Sequence, residues 1–323
     1  PLSRRAALRL RLLLENERIY VRADERIPGI RTIPEFPDIY ADGEKERIFA
    51  GHFMHEQGRV CNISSDFEGV LREGLLARRA RAEKTMAEGR GDLDFLEAAI
   101  ETIDAVIAFA DRYADAMPDG AGLKDAMRYG AKDFLNALRM FRMLHLSLWA
   151  SNVYHNTVGR FDQYMWPYLK ADLDKGMTNE EALELLEEFF LTFNRDSDLY
   201  TGMQQVDNGQ RLMLGGCDKD GNDASNVLTG LCLTASLEMR RIDPKINLRV
   251  NKDTPLEVYE YCTKLTKQGL GFPQYANDDV VIPGLVKLGY DLEDARNYTV
   301  AACWEFIVPG VAIDIPNIGA MPL

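Results

Sequence analysis

The stretch AACWEFIVPG, residues 301–310, is an apolar run interrupted by one thiol, Cys303, and one carboxylate, Glu305. In extended backbone, residues i and i+2 point to the same side, so we expect both groups to share one space while Trp304 faces away. The Pro-Gly pair that closes the run predicts a sharp turn. A buried carboxylate must be paired or protonated, and a raised pKa suits a general acid or base. A structural cysteine beside an ordinary salt-bridged glutamate explains the same residues equally well.

The segments before this run alternate between strand and helix patterns. RLMLGG (residues 211–216) and KINLRVN (245–251) are strand candidates, and the second places Ile246, Leu248 and Val250 on one face. A capping box predicts a helix from Thr178, and a second box with proline at the first helical position follows the second strand. This alternation predicts an α/β fold with parallel strands, in which functional groups lie on loops at strand ends.

The first half of the chain is predicted to be mostly helical. Apolar spacing and capping residues indicate helices over about residues 3–16, 65–87, 92–117 and 123–149. We therefore divide the chain into a helical part, 1–150, and an α/β part, 151–323, of one structural domain.

Composition excludes several classes of function. The net charge of −13 disfavours binding to nucleic acid or to an anionic membrane, and no apolar run is long enough to span a bilayer. The 5 cysteines are spread widely without a CxxC pair, so neither a disulfide framework nor a zinc site is predicted, and a cytoplasmic, reducing location fits best. P-loop, GxGxxG, GxSxG and HExxH motifs are absent from the sequence.

Four stretches in the second half resemble the glycyl radical enzymes, the family that includes pyruvate formate-lyase, glycerol dehydratase and choline trimethylamine-lyase. They occur in family order, and a weaker likeness extends to NISSDFEGVLREGL (62–75). The four are GRFDQYMWPYLKADL (159–173), LMLGGCDKDGNDASN (212–226), QGLGFPQYANDD (268–279) and LGYDLEDARNYTVAACWEFIVPG (288–310). The resemblance implies a parallel-strand α/β barrel wrapped by helices, of which this chain would form part. It also implies that Cys303 is the thiyl-forming cysteine on a finger loop inside the barrel.

The resemblance implies a chemistry for this loop. In the family, an activase that uses S-adenosylmethionine and an iron–sulfur cluster installs a glycine radical near the C-terminus. That radical takes hydrogen from the loop cysteine, which then takes hydrogen from a small substrate, so the loop is expected to be buried and dry. The Cys-x-Glu spacing resembles the eliminating members, which implies that Glu305 moves a proton in a carbon–oxygen, carbon–nitrogen or carbon–sulfur lyase. Ala302 stands where pyruvate formate-lyase has a second cysteine, which disfavours acyl transfer.

Two alternatives remain open at this point. One is a formate acetyltransferase-like or decarboxylating member of the family, and the other is a catalytically silent scaffold subunit of the same fold. Trp304 stands where related enzymes usually carry a smaller residue, which implies a reshaped pocket. The glycine-bearing region is not in this sequence, so we expect a fragment or a split subunit whose complete form is a homodimer.

The resemblance also suggests which residues hold the substrate. The candidates directly precede GRFDQY or follow the finger loop, and they are His155, Asn156, Thr157, Asp314 and Asn317. A partly buried histidine with satisfied hydrogen bonds is the stronger interpretation of His155. Arg160 and Asp162 are expected to brace the barrel rather than to contact substrate. No metal ligands are predicted, and no cofactor is expected to bind this chain directly.

Overall fold

The structure is a computed structural model that describes residues 1–33, 40–51, 60–150, 154–195 and 209–312, with only the backbone described for Phe49, Val60, Cys61, Tyr154 and His155. The first half contains α1 (Leu2–Asn16), α2 (Glu44–Ala50), β1 (Val60–Ile63), α3 (Phe67–Glu73), α4 (Leu75–Ala87), α5 (Leu93–Asp115), α6 (Ala121–Tyr129) and α7 (Phe134–Ala150). The second half contains β2 (Tyr154–Asn156), β3 (Gly159–Arg160), α8 (Phe161–Tyr164), α9 (Trp166–Leu173), α10 (Asn179–Thr192), β4 (Arg211–Gly215), α11 (Val227–Met239), β5 (Lys245–Val250), α12 (Leu256–Lys267), β6 (Gln274–Asn277), α13 (Asp278–Lys287), α14 (Leu292–Arg296), β7 (Thr299–Ala301) and β8 (Glu305–Ile307).

The described residues form two compact units. One comprises residues from 1–60 and 69–154, and the other comprises 61–68 and 155–314. The division of the chain into 1–150 and 151–323 of one domain stays a prediction. In neither unit is any described helix long and apolar enough to cross a membrane.

The helical unit confirms the predicted helices in outline. In α5, the Asp92 side chain accepts a hydrogen bond of 3.0 Å from the backbone N–H of Phe95, so this residue caps the helix. In α6, Arg128 forms a bidentate ion pair with Asp111 of α5, both distances being 2.7 Å. The α1 helix begins at Leu2, one residue before its predicted start.

Two predicted helices are broken by glycine, and in this respect the prediction is wrong. Gly74 separates α3 from α4 with φ +76°, and Gly130 ends α6 with φ +91°. A Cβ atom on Gly74 would lie 2.2 Å from the carbonyl oxygen of Arg128, and one on Gly130 would lie 2.2 Å from that of Arg72. The two breaks therefore pack backbone against backbone, and only glycine permits that approach.

The second unit contains a four-stranded sheet in the order β3-β4-β5-β6, and every pairing in it is parallel. The strands predicted at 211–216 and 245–251 are confirmed as β4 and β5, and the capping box at Thr178 opens α10. Four strands in this arrangement form an open sheet with β3 and β6 at its edges, so the described residues build part of a barrel and do not close it.

Both faces of β5 are buried. Ile246 and Leu248 on one face have no exposed surface, and neither do Asn247 and Arg249 on the other. Residues paired in register point to the same side, which places Arg160 and Met213 on the polar face with Asn247. This polar face contacts the β7–β8 hairpin and the residue before it, through Arg211 and Arg249.

Candidate active site

Cys303 lies at the tip of a β-hairpin. β7 and β8 are antiparallel, with Ala301 opposite Glu305, so the three residues between them form the turn. Ala302 adopts φ +43°, which a residue with a Cβ seldom does and which costs about 1 kcal/mol. The prediction that residues 303–305 are extended is therefore wrong, because the chain reverses at this point.

The Glu305 carboxylate folds back over this turn. Its Oε2 atom accepts hydrogen bonds from the backbone N–H groups of Cys303, at 2.8 Å, and Trp304, at 2.9 Å. Oε1 accepts no hydrogen bond from the residues that the structure describes. The carboxylate thus binds the backbone of the turn that carries the thiol, and the two groups do not have the side-by-side arrangement of a strand.

The surroundings of the thiol differ from the prediction. Cys303 is exposed, and 48% of the Trp304 surface is accessible. The expectation of a buried, dry thiol is wrong for the described residues, because these residues leave the thiol accessible. The base of the hairpin is enclosed, since Tyr298, Val300 and Ala301 have no exposed surface.

The turn after the hairpin follows the prediction. Gly310 has φ +69°, and its backbone N–H donates a 2.9 Å hydrogen bond to the carbonyl oxygen of Ser64. A Cβ atom at this position would lie 2.7 Å from the Cβ atom of Asp66. The glycine of the Pro-Gly pair thus allows the end of the hairpin to pack against the segment before α3.

Thr157, predicted to bind substrate, contacts the hairpin. Its Oγ1 lies 2.7 Å from the carbonyl oxygen of Arg211 and 3.0 Å from that of Val300. A hydroxyl has one hydrogen, so Thr157 donates to one of these oxygens at a time. In this structure the Thr157 hydroxyl connects β4 to β7.

Asn156, also predicted to bind substrate, has a side chain without partners. The residue has no exposed surface, and neither Nδ2 nor Oδ1 is hydrogen-bonded to any described residue. A buried amide without partners is costly, and in known proteins such groups usually meet a ligand or an ordered water. The His155 side chain, Asp314 and Asn317 lie outside the described residues, so their predicted roles stay predictions.

Arg160 and Asp162 brace the loop that follows β4. Arg160 donates to the carbonyl oxygens of Gly215, at 3.3 Å, and Cys217, at 2.7 Å. Asp162 accepts hydrogen bonds from the Gly215 N–H, at 2.8 Å, and from the Thr229 hydroxyl, at 2.5 Å. Burial raises the pKa of Asp162 and, with the nearby Arg249 charge, lowers the pKa of Arg160 to about 10.

Arg211 was not among the predicted site residues, and no sequence motif marks it. It is buried, it lies at the start of β4, and its Nε donates to the carbonyl oxygen of Ala302, one residue before the thiol. On β5, Asn247 is buried with its Oδ1 unpartnered among the described residues. The alternation of polar and apolar residues in KINLRVN was the available signal, but it was interpreted only for its apolar face.

A cavity of about 610 Å³ lies in the helical unit and not at the hairpin. It lies between α1 and α5, and its charged lining is paired, Arg4 with Glu97 and Arg11 with Glu101. Because these charges are paired, they differ from the amide oxygen of Asn247 on the polar face of the sheet, which has no partner among the residues described.

Comparison with known proteins identifies the family. The family model described as "Pyruvate formate lyase-like" matches residues 34–321. The chain belongs to the pyruvate formate lyase-like family. This confirms the resemblance to the glycyl radical enzymes.

Relatives of this pyruvate formate lyase-like chain are dehydratases and lyases. It is 29% identical to (2S)-3-sulfopropanediol dehydratase from Klebsiella oxytoca, over 81% of this chain and 34% of that protein. It is 27% identical to isethionate sulfite-lyase from Oleidesulfovibrio alaskensis, over 76% of this chain and 34% of that protein. A solved structure on 1,2-propanediol dehydration in Roseburia inulinivorans matches with a TM-score of 0.81 and 27% identity, covering 96% of this chain and 50% of that one.

The structural match confirms the predicted partial barrel. The chain spans about a third of the length of the curated relatives and half of the solved chain.

Proposed function

We propose that this chain is part of a radical lyase or dehydratase of the pyruvate formate lyase-like family, in which Cys303 carries the thiyl radical and Glu305 is the general acid and base. The observation that carries the proposal is the Glu305 carboxylate, whose Oε2 accepts two hydrogen bonds from the turn that bears the thiol. These bonds hold the carboxylate in place and leave Oε1 available to exchange a proton.

The residues of the hairpin fit a relay that is completed from outside the chain. A glycine radical, installed by an activase that uses S-adenosylmethionine and an iron–sulfur cluster and carried on a region beyond this chain, would supply the step that removes the Cys303 hydrogen. The exposed position of Cys303 supports this arrangement, because a group from another region can approach the sulfur. The enclosed base of the hairpin keeps the backbone of the turn fixed during that approach.

Each residue has a defined part in the proposed elimination. The sulfur of Cys303 accepts a hydrogen atom from a substrate carbon, which leaves an unpaired electron on that carbon. Glu305 takes a proton from the substrate radical as the neighbouring carbon–oxygen, carbon–nitrogen or carbon–sulfur bond breaks, and it returns that proton to the departing leaving group, so that a product radical remains. The product then recovers a hydrogen atom from the Cys303 thiol, so atoms and electrons balance over the cycle.

The amide of Asn156, which has no partner among the described residues, is evidence for a small polar substrate. Its buried amide offers one acceptor and two donors that the described residues leave unused, a pattern that suits a hydroxyl or another hydrogen-bonding group. The sulfonated substrates named for two relatives and the diol named for the solved structure are small and polar, and we propose the same class here. His155, Asp314 and Asn317 are proposed as further contacts, and the complete enzyme is proposed to be a homodimer.

The proposal is tested by two substitutions in the assembly reconstituted with activase and the glycine-bearing region. Cys303→Ser should abolish turnover. Glu305→Gln should lower kcat by about 100-fold or more, since general acid–base catalysis contributes about 10²–10⁴ and glutamine can still accept the two backbone hydrogen bonds. The exposed Glu293→Gln is the matched control and should leave the rate unchanged.

Other outcomes would favour other functions. Turnover that survives Cys303→Ser would contradict the radical role of Cys303. The chain would then be interpreted as a catalytically silent scaffold subunit. Turnover that needs Cys303 but tolerates Glu305→Gln would exclude elimination assisted by this carboxylate. Acyl-coenzyme A or decarboxylated products would then indicate the alternative members of the family.

A further inference from the structure

The strand that leads to Cys303 is held on one side by side chains instead of by another strand. β7 pairs with β8 along one edge, and the carbonyl groups of its other edge are buried. Every second carbonyl from residue 296 to residue 302 meets a side chain from the polar face of the sheet or from the segment before it. The pairs are Arg160 with Arg296, Arg249 with Tyr298, Thr157 with Val300, and Arg211 with Ala302.

Arg249 makes the most extensive of these contacts. It has no exposed surface, and its Nη1 donates to the carbonyl oxygen of Tyr298 at 3.0 Å. Its Nε and Nη2 form a bidentate ion pair with Asp278, at 2.8 and 2.9 Å. The guanidinium also lies 4.0 Å from the centre of the Tyr298 ring.

Tyr298 is therefore held at both ends. Its backbone carbonyl is bound by Arg249, and its hydroxyl donates to Asp278 Oδ1 at 2.8 Å. Arg249, Asp278 and Tyr298 form a closed set of contacts that we call the Arg249 cluster. The chain at Tyr298 cannot slide along its own axis without breaking its contacts with both Arg249 and Asp278.

The second glycine of the LMLGGC stretch makes room for this cluster. Gly216 has φ +80°, and a Cβ atom on it would lie 2.5 Å from Nε and 2.8 Å from Cβ of Arg249. The next residue, Cys217, donates its backbone N–H to Asp278 Oδ2 at 2.7 Å. In the loop after β4, Gly216 thus leaves space for the Arg249 side chain, and Cys217 binds its partner Asp278.

We infer that Arg249 is a positioning residue that fixes the register of the β7–β8 hairpin and so the place of the Cys303 sulfur. The hairpin has only three paired positions of its own, and a slip that preserved its alternation would be of two residues. At about 3.4 Å per residue, such a slip would carry the thiol by about 7 Å, too far for a hydrogen-atom transfer. The catalytic consequence rests on the proposed function, whereas the effect on the hairpin does not.

Hydrogen exchange on the 323-residue chain tests the effect on the hairpin. Arg249→Lys keeps the charge but loses the planar fork, and Tyr298→Phe removes a single hydroxyl. Both should raise the exchange rate of amides in residues 298–308 at least 10-fold, while α10 and α11 stay within twofold. Arg241→Lys, at an exposed arginine in the same unit, is the matched control and should change neither.

The catalytic consequence is tested in the reconstituted assembly. Arg249→Lys should lower kcat at least 10-fold with KM and the glycine-radical content both within twofold, a split that a general loss of folding would not produce. Hairpin exchange that is unchanged, or that rises equally throughout the unit, would overturn the inference. If Arg249→Lys does not fold, the same criteria apply to Tyr298→Phe.

The two proposals fail in different ways. A wild-type assembly without radical-dependent turnover, but with selective loosening of the hairpin in the variants, would refute the proposed function and support the role of Arg249. Radical-dependent turnover together with unchanged hydrogen exchange of the hairpin in both variants would support the proposed function and refute the positioning role.

Discussion

Two buried threonines should respond in opposite directions to the same substitution. Thr157 bonds to the carbonyl oxygen of Val300, whereas the hydroxyl of Thr299 is buried without a partner among the described residues. Changing each to valine replaces a hydroxyl by a methyl group of similar size, so little cavity is formed. The sign of the stability change then reports whether the hydroxyl was used.

The magnitude follows from the hydrogen bonds. In Thr157→Val, the Arg211 carbonyl keeps its 2.7 Å bond from the Val158 N–H, but the buried Val300 carbonyl loses its partner. An unsatisfied buried carbonyl costs about 1–3 kcal/mol, partly offset by the easier burial of valine, so we expect a net loss of about 1–2 kcal/mol. Thr299→Val removes an unsatisfied hydroxyl and should gain about 1–2 kcal/mol.

Equilibrium unfolding in urea, supported by thermal melting, measures the difference. At about 2–4 °C per kcal/mol for a unit of this size, the two variants should differ in Tm by at least about 4 °C, with Thr157→Val the lower. Changes of the same sign, or a difference in unfolding free energy below about 0.5 kcal/mol, would refute the assignment of the hydrogen bonds. A stable Thr157→Val with a raised KM would instead indicate that this hydroxyl serves the substrate.

Three further predictions follow from other parts of the chain. Gly130→Ala should lower the unfolding free energy by more than about 2 kcal/mol, because its Cβ would meet the Arg72 carbonyl, whereas Gly89→Ala, with φ +66° but open space, should cost only about 1 kcal/mol in the same urea titration. Burial raises the pKa of Cys262 to about 12, so mass spectrometry after iodoacetamide at pH 8 should find it unmodified while the exposed Cys303 reacts; equal labelling would contradict its burial. The Arg5 hydrogen bonds, with a smaller contribution from the Ala41 N–H, lower the pKa of Glu44 to about 2, so the stability these bonds contribute should be present above about pH 4.5 and lost as the pH falls towards 2; hydrogen exchange of α2 should show this loss, and Arg5→Gln should weaken the pH dependence.

Much of the fold could be predicted because local rules were sufficient. The capping box at Thr178 and the alternation of KINLRVN each act within a few residues, and the structure contains the elements that they predict. The breaks at Gly74 and Gly130 could not be predicted in this way. Each glycine is needed because the backbone beside the other glycine packs against it. The two positions are more than fifty residues apart in the chain, so no local sequence pattern indicates this contact.

The geometry of the candidate site could not be predicted from the sequence. Cys303 and Glu305 were selected from their setting, yet the carboxylate binds the backbone of a hairpin turn and not of an extended strand. That turn depends on Ala302 at positive φ, held by Arg211 from another strand. The apolar run around the thiol suggested burial, but the described residues enclose the base of the hairpin and not its tip.

Anchoring through carbonyl groups has a consequence for how such a loop can be varied. The four anchoring side chains donate hydrogen bonds to backbone carbonyl oxygens, which every amino acid possesses. These hydrogen bonds therefore do not depend on which side chains residues 299–304 carry. Trp304 could be exchanged for a smaller residue without moving the sulfur beside it. Under the proposed function, such an anchor would let substitutions in the loop change which substrate fits while the Cys303 sulfur keeps its position.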